Sequence, residues 1–295
     1  MNRVLNRTIG IGVSAIATPI IFLAHADRSQ AASFTLYDGT AQAVTPDNFA
    51  PQFLDFNPGL VPGATQTYSG GINATNLNTT ASDGVQAGYT NFNLASMLVN
   101  PAFPDLDRTV GYTLSFVVEI VSAAEASADR AGFNVIAVSS DPGAGNLSSV
   151  EISFQTNRVF SQPTPDPNPA IGFSGFGEEN TMFNPVGVGF VAYDLVVAGS
   201  TYELFANSAS ILSGPLRDYT PFAGFPDPYE TANFIFFGDD TTSAQANINF
   251  QSATLTTIPF EFSPAFGLIA LAGVAGLWQL LKLNQQKGKS LPIAK

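Results

Sequence analysis

The chain has 295 residues, 45% of them hydrophobic and only 12% charged, with 25 Phe, 26 Gly and 20 Pro. That balance supports a packed, β-rich core and excludes a disordered chain. The formal charge is −12, and the stretch from Ala32 to Ile258 carries four arginines against 21 acids; phosphate binding needs the opposite field, so nucleic acid is excluded as a partner.

In chain order, Arg3 and Arg7 precede an apolar stretch from Ile9 to Leu23, and small residues follow. This is the layout of a secretory signal peptide. Ala24-His25-Ala26 and Ser29-Gln30-Ala31 both offer cleavage sites for signal peptidase. The second, between Ala31 and Ala32, is favoured because Ala32-Ser33-Phe34 then starts just before a strand; a retained N-terminal anchor helix is the alternative. The chain has no Cys, and its one histidine, His25, leaves with the signal. A mature domain without Cys or His has no Ser-His-Asp triad, no cysteine nucleophile and none of the usual zinc sites.

From Phe34 onward, apolar residues alternate with polar ones between turn formers. Strands are expected at Phe34 to Tyr37, Gly84 to Phe92, Tyr112 to Val121, Phe133 to Ser139 and Val150 to Gln155. Five more are expected at Tyr193 to Val197, Tyr202 to Ala206, Ala209 to Leu212, Asn233 to Phe237 and Ala246 to Thr257. Ala123 to Ala128 makes a turn of helix at most, and the proline-rich run Ser161 to Ala170 reads as an exposed loop. Strands joined by hairpins without crossover helices form antiparallel sheets, and this many in one domain form a sandwich or barrel. In the hairpin at Glu151 to Phe160, Ile152 and Phe154 face the core. A second hairpin, Tyr193 to Asn207, continues as a meander through Ile211 to Gly214.

This succession resembles the back half of concanavalin A-like jelly rolls, where a similar strand pair ends in an Asn turn. Asp129-Arg130-Ala131-Gly132-Phe133, Leu216-Arg217-Asp218-Tyr219, Asp227-Pro228-Tyr229-Glu230-Thr231 and Phe237-Gly238-Asp239-Asp240-Thr241-Thr242-Ser243-Ala244 are similar to runs of the choice-of-anchor type Y domains of bacterial surface proteins. The resemblance covers most of Ser33 to Thr257 and implies a surface-exposed domain found beside varied anchoring tails.

The serious enzymatic option on a jelly roll is a glycosidase working with two carboxylates. The catalytic strand of jelly-roll β-glucanases carries three acids on one face, where this chain has Glu151, Ser153 and Gln155. With one carboxylate on that face, no catalytic residue is expected. Asp239 and Asp240, at a strand end, offer oxygens to Ca²⁺; the alternative is an Asp-rich turn accepting backbone N–H bonds. Arg130 and Arg217 read as partners for carboxylates, and Tyr193, Tyr202, Tyr219 and Tyr229 as packing rings rather than sugar platforms.

At the far end, Ala265 to Leu281 is free of charge, reaches roughly 26 Å as a helix, and is followed by Lys282. Basic residues at both ends place both ends inside and the middle outside the membrane. Pro259-Phe260-Glu261-Phe262-Ser263-Pro264 before this segment resembles the cyanobacterial form of the PEP-CTERM sorting signal, which implies processing by an exosortase. It departs from the commonest form in lacking a Pro-Glu-Pro triplet and in ending on lysines.

The expected organisation is a signal peptide (1–31), an all-β antiparallel sandwich of jelly-roll type (32–258) and a sorting signal with a transmembrane helix (259–295). The expected function is an exported surface or matrix protein whose non-catalytic domain binds extracellular polysaccharide. A calcium-dependent adhesion module and a glycoside-active enzyme are the alternatives.

Overall fold

Two long strands carry the architecture. Tyr112–Glu125 alternates buried and half-exposed side chains over its first nine residues, and Ala244–Thr257 does so over its first eight, as strands with one face in a core must. The computed structural model describes residues 31–48, 52–55, 63–166, 168, 172–173, 179–225 and 227–257. Among these the strands are β1 (Ala32–Asp38), β2 (Gln52–Asp55), β3 (Thr65–Ser69), β4 (Ala74–Asn78), β5 (Ala87–Thr90), β6 (Tyr112–Glu125), β7 (Phe133–Val138) and β8 (Ser149–Phe154). They continue with β9 (Val159–Ser161), β10 (Asn180–Thr181), β11 (Val191–Ala198), β12 (Thr201–Ala206), β13 (Ala209–Pro215), β14 (Phe234–Asp239) and β15 (Ala244–Thr257).

The strands form two sheets, and every ladder between them is antiparallel. The first sheet runs β13-β12-β11-β6-β15-β4-β3. One edge of β15 is shared: β4 pairs with Asn247 to Phe250 and β1 with Ser252 to Thr257. The second sheet runs β10-β9-β8-β7-β14-β5-β2. Facing side chains of both sheets close one aromatic core. Phe116 of β6 stacks on Tyr193 of β11 at 5.1 Å and meets Phe237 of β14 edge-on at 5.5 Å; Phe237 lies 5.1 Å from Phe250 of β15. Each such ring removed from water contributes about 1.5–3 kcal/mol. The domain is thus an all-β antiparallel sandwich.

Tight turns hold the register. β12 and β13 are joined through Asn207 and Ser208, both at positive φ (47° and 68°), the backbone of a turn whose twist matches that of paired strands. Ile152 and Phe154 do face the core, and Tyr193, Tyr202, Tyr219 and Tyr229 are all buried.

Three expectations are corrected. Ala123 to Glu125 extends β6 instead of turning into helix, because it pairs with Ala244 to Ala246 of β15. Ser161 and Gln162 open the proline-rich run fully buried, since Gln162 N–H donates to the Glu151 carbonyl (3.0 Å) and prolongs the sheet. β2, β3, β4 and β10 add strands in stretches where alternation is weak.

Ala31 and Ala32 are exposed, and Ala32 opens β1. The signal segment, the motif Pro259-Phe260-Glu261-Phe262-Ser263-Pro264 and the apolar segment Ala265 to Leu281 lie outside the described residues. Among the described residues no helix is long and apolar enough to cross a membrane.

Candidate functional site

Because successive residues of a strand face opposite ways, the inward Val150, Ile152 and Phe154 of β8 leave Glu151 and Ser153 on the outer face of the second sheet. In register, Glu151 lies beside Ile136 of β7, Ile136 beside Phe236 of β14, and Phe236 beside Thr90 of β5. Over this row the segments after β9 and β13 fold back. Phe173, Tyr219, Phe222 and Tyr229 pack on Ile136, Val138, Phe234 and Phe236 as a second, smaller core, with Tyr219 and Tyr229 edge-on at 5.0 Å. Glycine makes the close fit possible: a Cβ on Gly88 would lie 2.4 Å from the Phe236 ring, and one on Gly238, whose φ is +155°, 2.4 Å from Gly88 Cα.

A cleft of about 300 Å³ opens beside this second core, with Glu151, Asp240, Gln162, Arg130 and Gln86 as its polar lining and Phe173, Phe222 and Phe225 as its aromatic walls. Glu151 is 3% exposed, and its Oε2 accepts from the Tyr229 hydroxyl. Tyr219 donates to the Gln162 carbonyl at 2.8 Å. The Gln162 amide nitrogen donates to the Asp129 carbonyl at 3.1 Å, which fixes the amide orientation and leaves the buried Oε1 without a partner. Asn134 is held the same way. Its nitrogen donates to Asp240 Oδ1 (2.6 Å) and the Ala131 carbonyl (2.7 Å), and its Oδ1 is buried and unpaired. Two orphaned acceptors in one place are unusual in a native fold.

The electrostatics are those of two acids sharing a poorly solvated site. Burial, and then the charge of Asp240, hold the Glu151 carboxyl well above the usual carboxylate range; hydrogen bonds from Tyr229 and Gln162 and the Arg130 guanidinium pull the other way. Burial pushes Asp240 up to about 6 against the opposing pull of Arg130 and Asn134. Arg130 is itself positioned by the carbonyls of Asp129 (2.8 Å) and Phe173.

The face that sequence reading gave one carboxylate therefore holds two, since Asp240, just past β14, enters the cleft beside Glu151. Asp239 and Asp240, singled out as a calcium pair, take separate partners. Asp239 accepts from Thr79 Oγ1 (2.7 Å) and the Thr241 N–H (3.2 Å) at full burial, whereas Asp240 meets Asn134 and the cleft. Among the described residues no group of three His, Cys, Asp or Glu stands where it would hold a metal ion. Arg217 forms a two-oxygen ion pair with Glu179 (2.7 and 2.5 Å), away from the Glu151 cleft.

No protein-family model matches the chain, and no curated protein matches it. Among solved structures it is similar to the carbohydrate esterase vb_24B_21 from the Shiga toxin-encoding bacteriophage phi24B, at 12% identity over 77% of this chain and 99% of that one, with a TM-score of 0.49. It is also similar to the metal-free carbohydrate recognition domain of Emp46p (8% identity, 75% and 95% covered, TM-score 0.44) and to a protein with a galectin-like fold from Bacillus subtilis (9%, 77% and 99%, 0.41). At these values no residue role is transferred to this chain.

Gln162, Asn134 and Gln86 were not singled out from the sequence. The one signal available was the β-prone apolar pair Val159-Phe160 after the Thr156-Asn157 turn, which carries the second strand of the hairpin toward Gln162.

Proposed function

We propose that the chain is an exported, exosortase-sorted surface or matrix protein whose jelly-roll domain binds extracellular polysaccharide in the Glu151 cleft without cleaving it. The observation that carries the binding reading is the meeting of polar side chains and aromatic walls in one cleft: Glu151, Asp240, Arg130 and Gln86 line it together with Phe173, Phe222 and Phe225. Saccharides present hydroxyl donors next to apolar ring faces, and a concave site with a few fixed polar groups and flat rings is complementary to both. The acidic exterior favours neutral or cationic glycans over uronates. Non-catalysis is supported by the position of Glu151, nearly sealed beneath Tyr229 with one oxygen already engaged, whereas a general acid must come within about 3 Å of the glycosidic oxygen.

A glycan array probed with the purified chain tests this reading. Phe225→Ala, a change at a side chain 75% exposed, should weaken the strongest signal roughly 2- to 10-fold, and no new reducing ends should appear in the bound polysaccharide. Absence of any glycan signal would refute binding. One observation favours a second reading, a glycoside hydrolase: Asp240 beside Glu151 supplies the second carboxyl such chemistry needs. Release of reducing ends that is lost in both Glu151→Gln and Asp240→Asn would establish that reading instead.

A further inference from the structure

The Glu151 cleft does not end at Asp240. A second cavity of about 240 Å³ adjoins it on the same outer face, and Asp240 and Phe225 line both. The balance shifts from polar toward apolar across that boundary. Where acids, amides and a guanidinium face Phe173, Phe222 and Phe225 in the first lobe, the second is walled mainly by Leu54, Phe92, Leu94, Ile136, Phe234 and Phe236, with Asn93, Ser96 and Asp227 also in its lining. The register explains the shift: along the row Glu151, Ile136, Phe236, the steps from β8 to β7 and β14 replace a carboxylate with apolar side chains before Thr90 of β5 ends the row. Phe92 and Phe234 stack at 6.0 Å along the wall, and Leu94 stands 82% exposed at the mouth.

A groove richer in polar groups in one lobe and richer in apolar side chains in the other is matched by a ligand built the same way. An unsubstituted sugar chain gains little from the aliphatic and aromatic side chains that make up most of the second lobe's wall. At about 30 Å³ for each water-sized group, the lobe accepts roughly eight non-hydrogen atoms, the size of a short acyl chain and its ester. We infer that the second lobe binds the acyl substituent of an O-acylated polysaccharide whose sugar occupies the Glu151 cleft. The inference rests on the polysaccharide reading and adds a ligand class to it.

The test titrates the full-length chain with gluco-, galacto- and mannotetrasaccharides, each unsubstituted, O-acetylated and O-butyrylated. For the sugar that binds, affinity should rise from unsubstituted to acetyl to butyryl, by about fourfold for each methylene buried. Leu94→Glu, at an exposed position, should abolish that rise while leaving affinity for the unsubstituted sugar unchanged. Binding of the unsubstituted sugar with no gain on acylation overturns this inference and leaves the polysaccharide reading standing. Failure of all nine compounds to bind overturns both. The acyl series in the unaltered chain is decisive by itself if the variant does not fold.

Discussion

The Tyr229 hydroxyl donates to Oε2 of Glu151, tying a surface loop to the middle of the second sheet. Tyr229→Phe keeps the ring and its contacts with Tyr219 and Phe222 but removes the donor. The loss should be about 1–3 kcal/mol, the penalty for leaving a buried acceptor unmade. Because this bond favours the charged carboxylate, the Glu151 pKa should climb further, and the loss should be larger at pH 8 than at pH 5. Urea unfolding at the two pH values checks this.

Burial raises the carboxyls of Glu151, Asp239 and Asp240 above their usual range. The folded state therefore holds their protons more tightly than the unfolded chain, whose carboxyls titrate near about pH 4. Their contribution to stability is complete below that pH and is lost as pH rises through the folded values, about 6 for Asp240 and likewise raised by burial for Glu151 and Asp239. Stability should fall from about pH 4 upward. Asp240→Asn should flatten the part of the slope below about pH 6, by about 1–2 kcal/mol for this partly exposed group. Melting temperature against pH for both proteins reads the effect directly.

Arg217 is 4% exposed, and Glu179 supplies its counter-charge. Glu179→Gln should cost about 2–3 kcal/mol, between the values for a surface pair and a fully buried one. In a double-mutant cycle, adding Arg217→Met should recover part of that loss, because the guanidinium is no longer left without its carboxylate. Additive losses would mean the two side chains act independently.

Gly238→Ala and Gly88→Ala place a Cβ against backbone or ring at 2.4 Å, and each should cost about 2–4 kcal/mol. Gly199 also has positive φ (62°) but nothing within 4 Å of a Cβ. Gly199→Ala should therefore show only the backbone penalty, about 1–2 kcal/mol. Chemical denaturation of the three variants separates steric from conformational effects.

Strands with a clean division between core and solvent were legible in the sequence. Tyr112 to Val121 and Tyr193 to Val197 lie within β6 and β11, because their apolar side chains recur at every second position. β3 (TQTYS) and β4 (ATNLN) gave no such signal. Asn76 of β4 donates to Asn247 (2.6 Å) and Asn249 (3.0 Å) of β15, so the outward side of this ladder is an amide network that no hydrophobic pattern announces. The site divides the same way. The outward face of Glu151 followed from alternation, but its meeting with Asp240 depends on β7 lying in register between β8 and β14, a relationship set by tertiary packing alone. Gln162 was hidden by the prolines after it, which mark a loop but say nothing about the residue just before them.

The pairing of Ala32 with Thr257 places the first and last residues of the folded strands side by side. Tension applied between these two points would open the β1–β15 ladder like a zipper, breaking the Ala32–Thr257 pair first and then Ser33–Thr256, at low force. Tension between Thr257 and a ligand gripped on the far sheet would meet a different resistance. It would load β15 along its length, where thirteen register pairs with β6 share the strain and yield together. A molecule held at its C-terminal end and pulled through its cleft would thus be mechanically strong, and the same molecule pulled by its two ends would be weak.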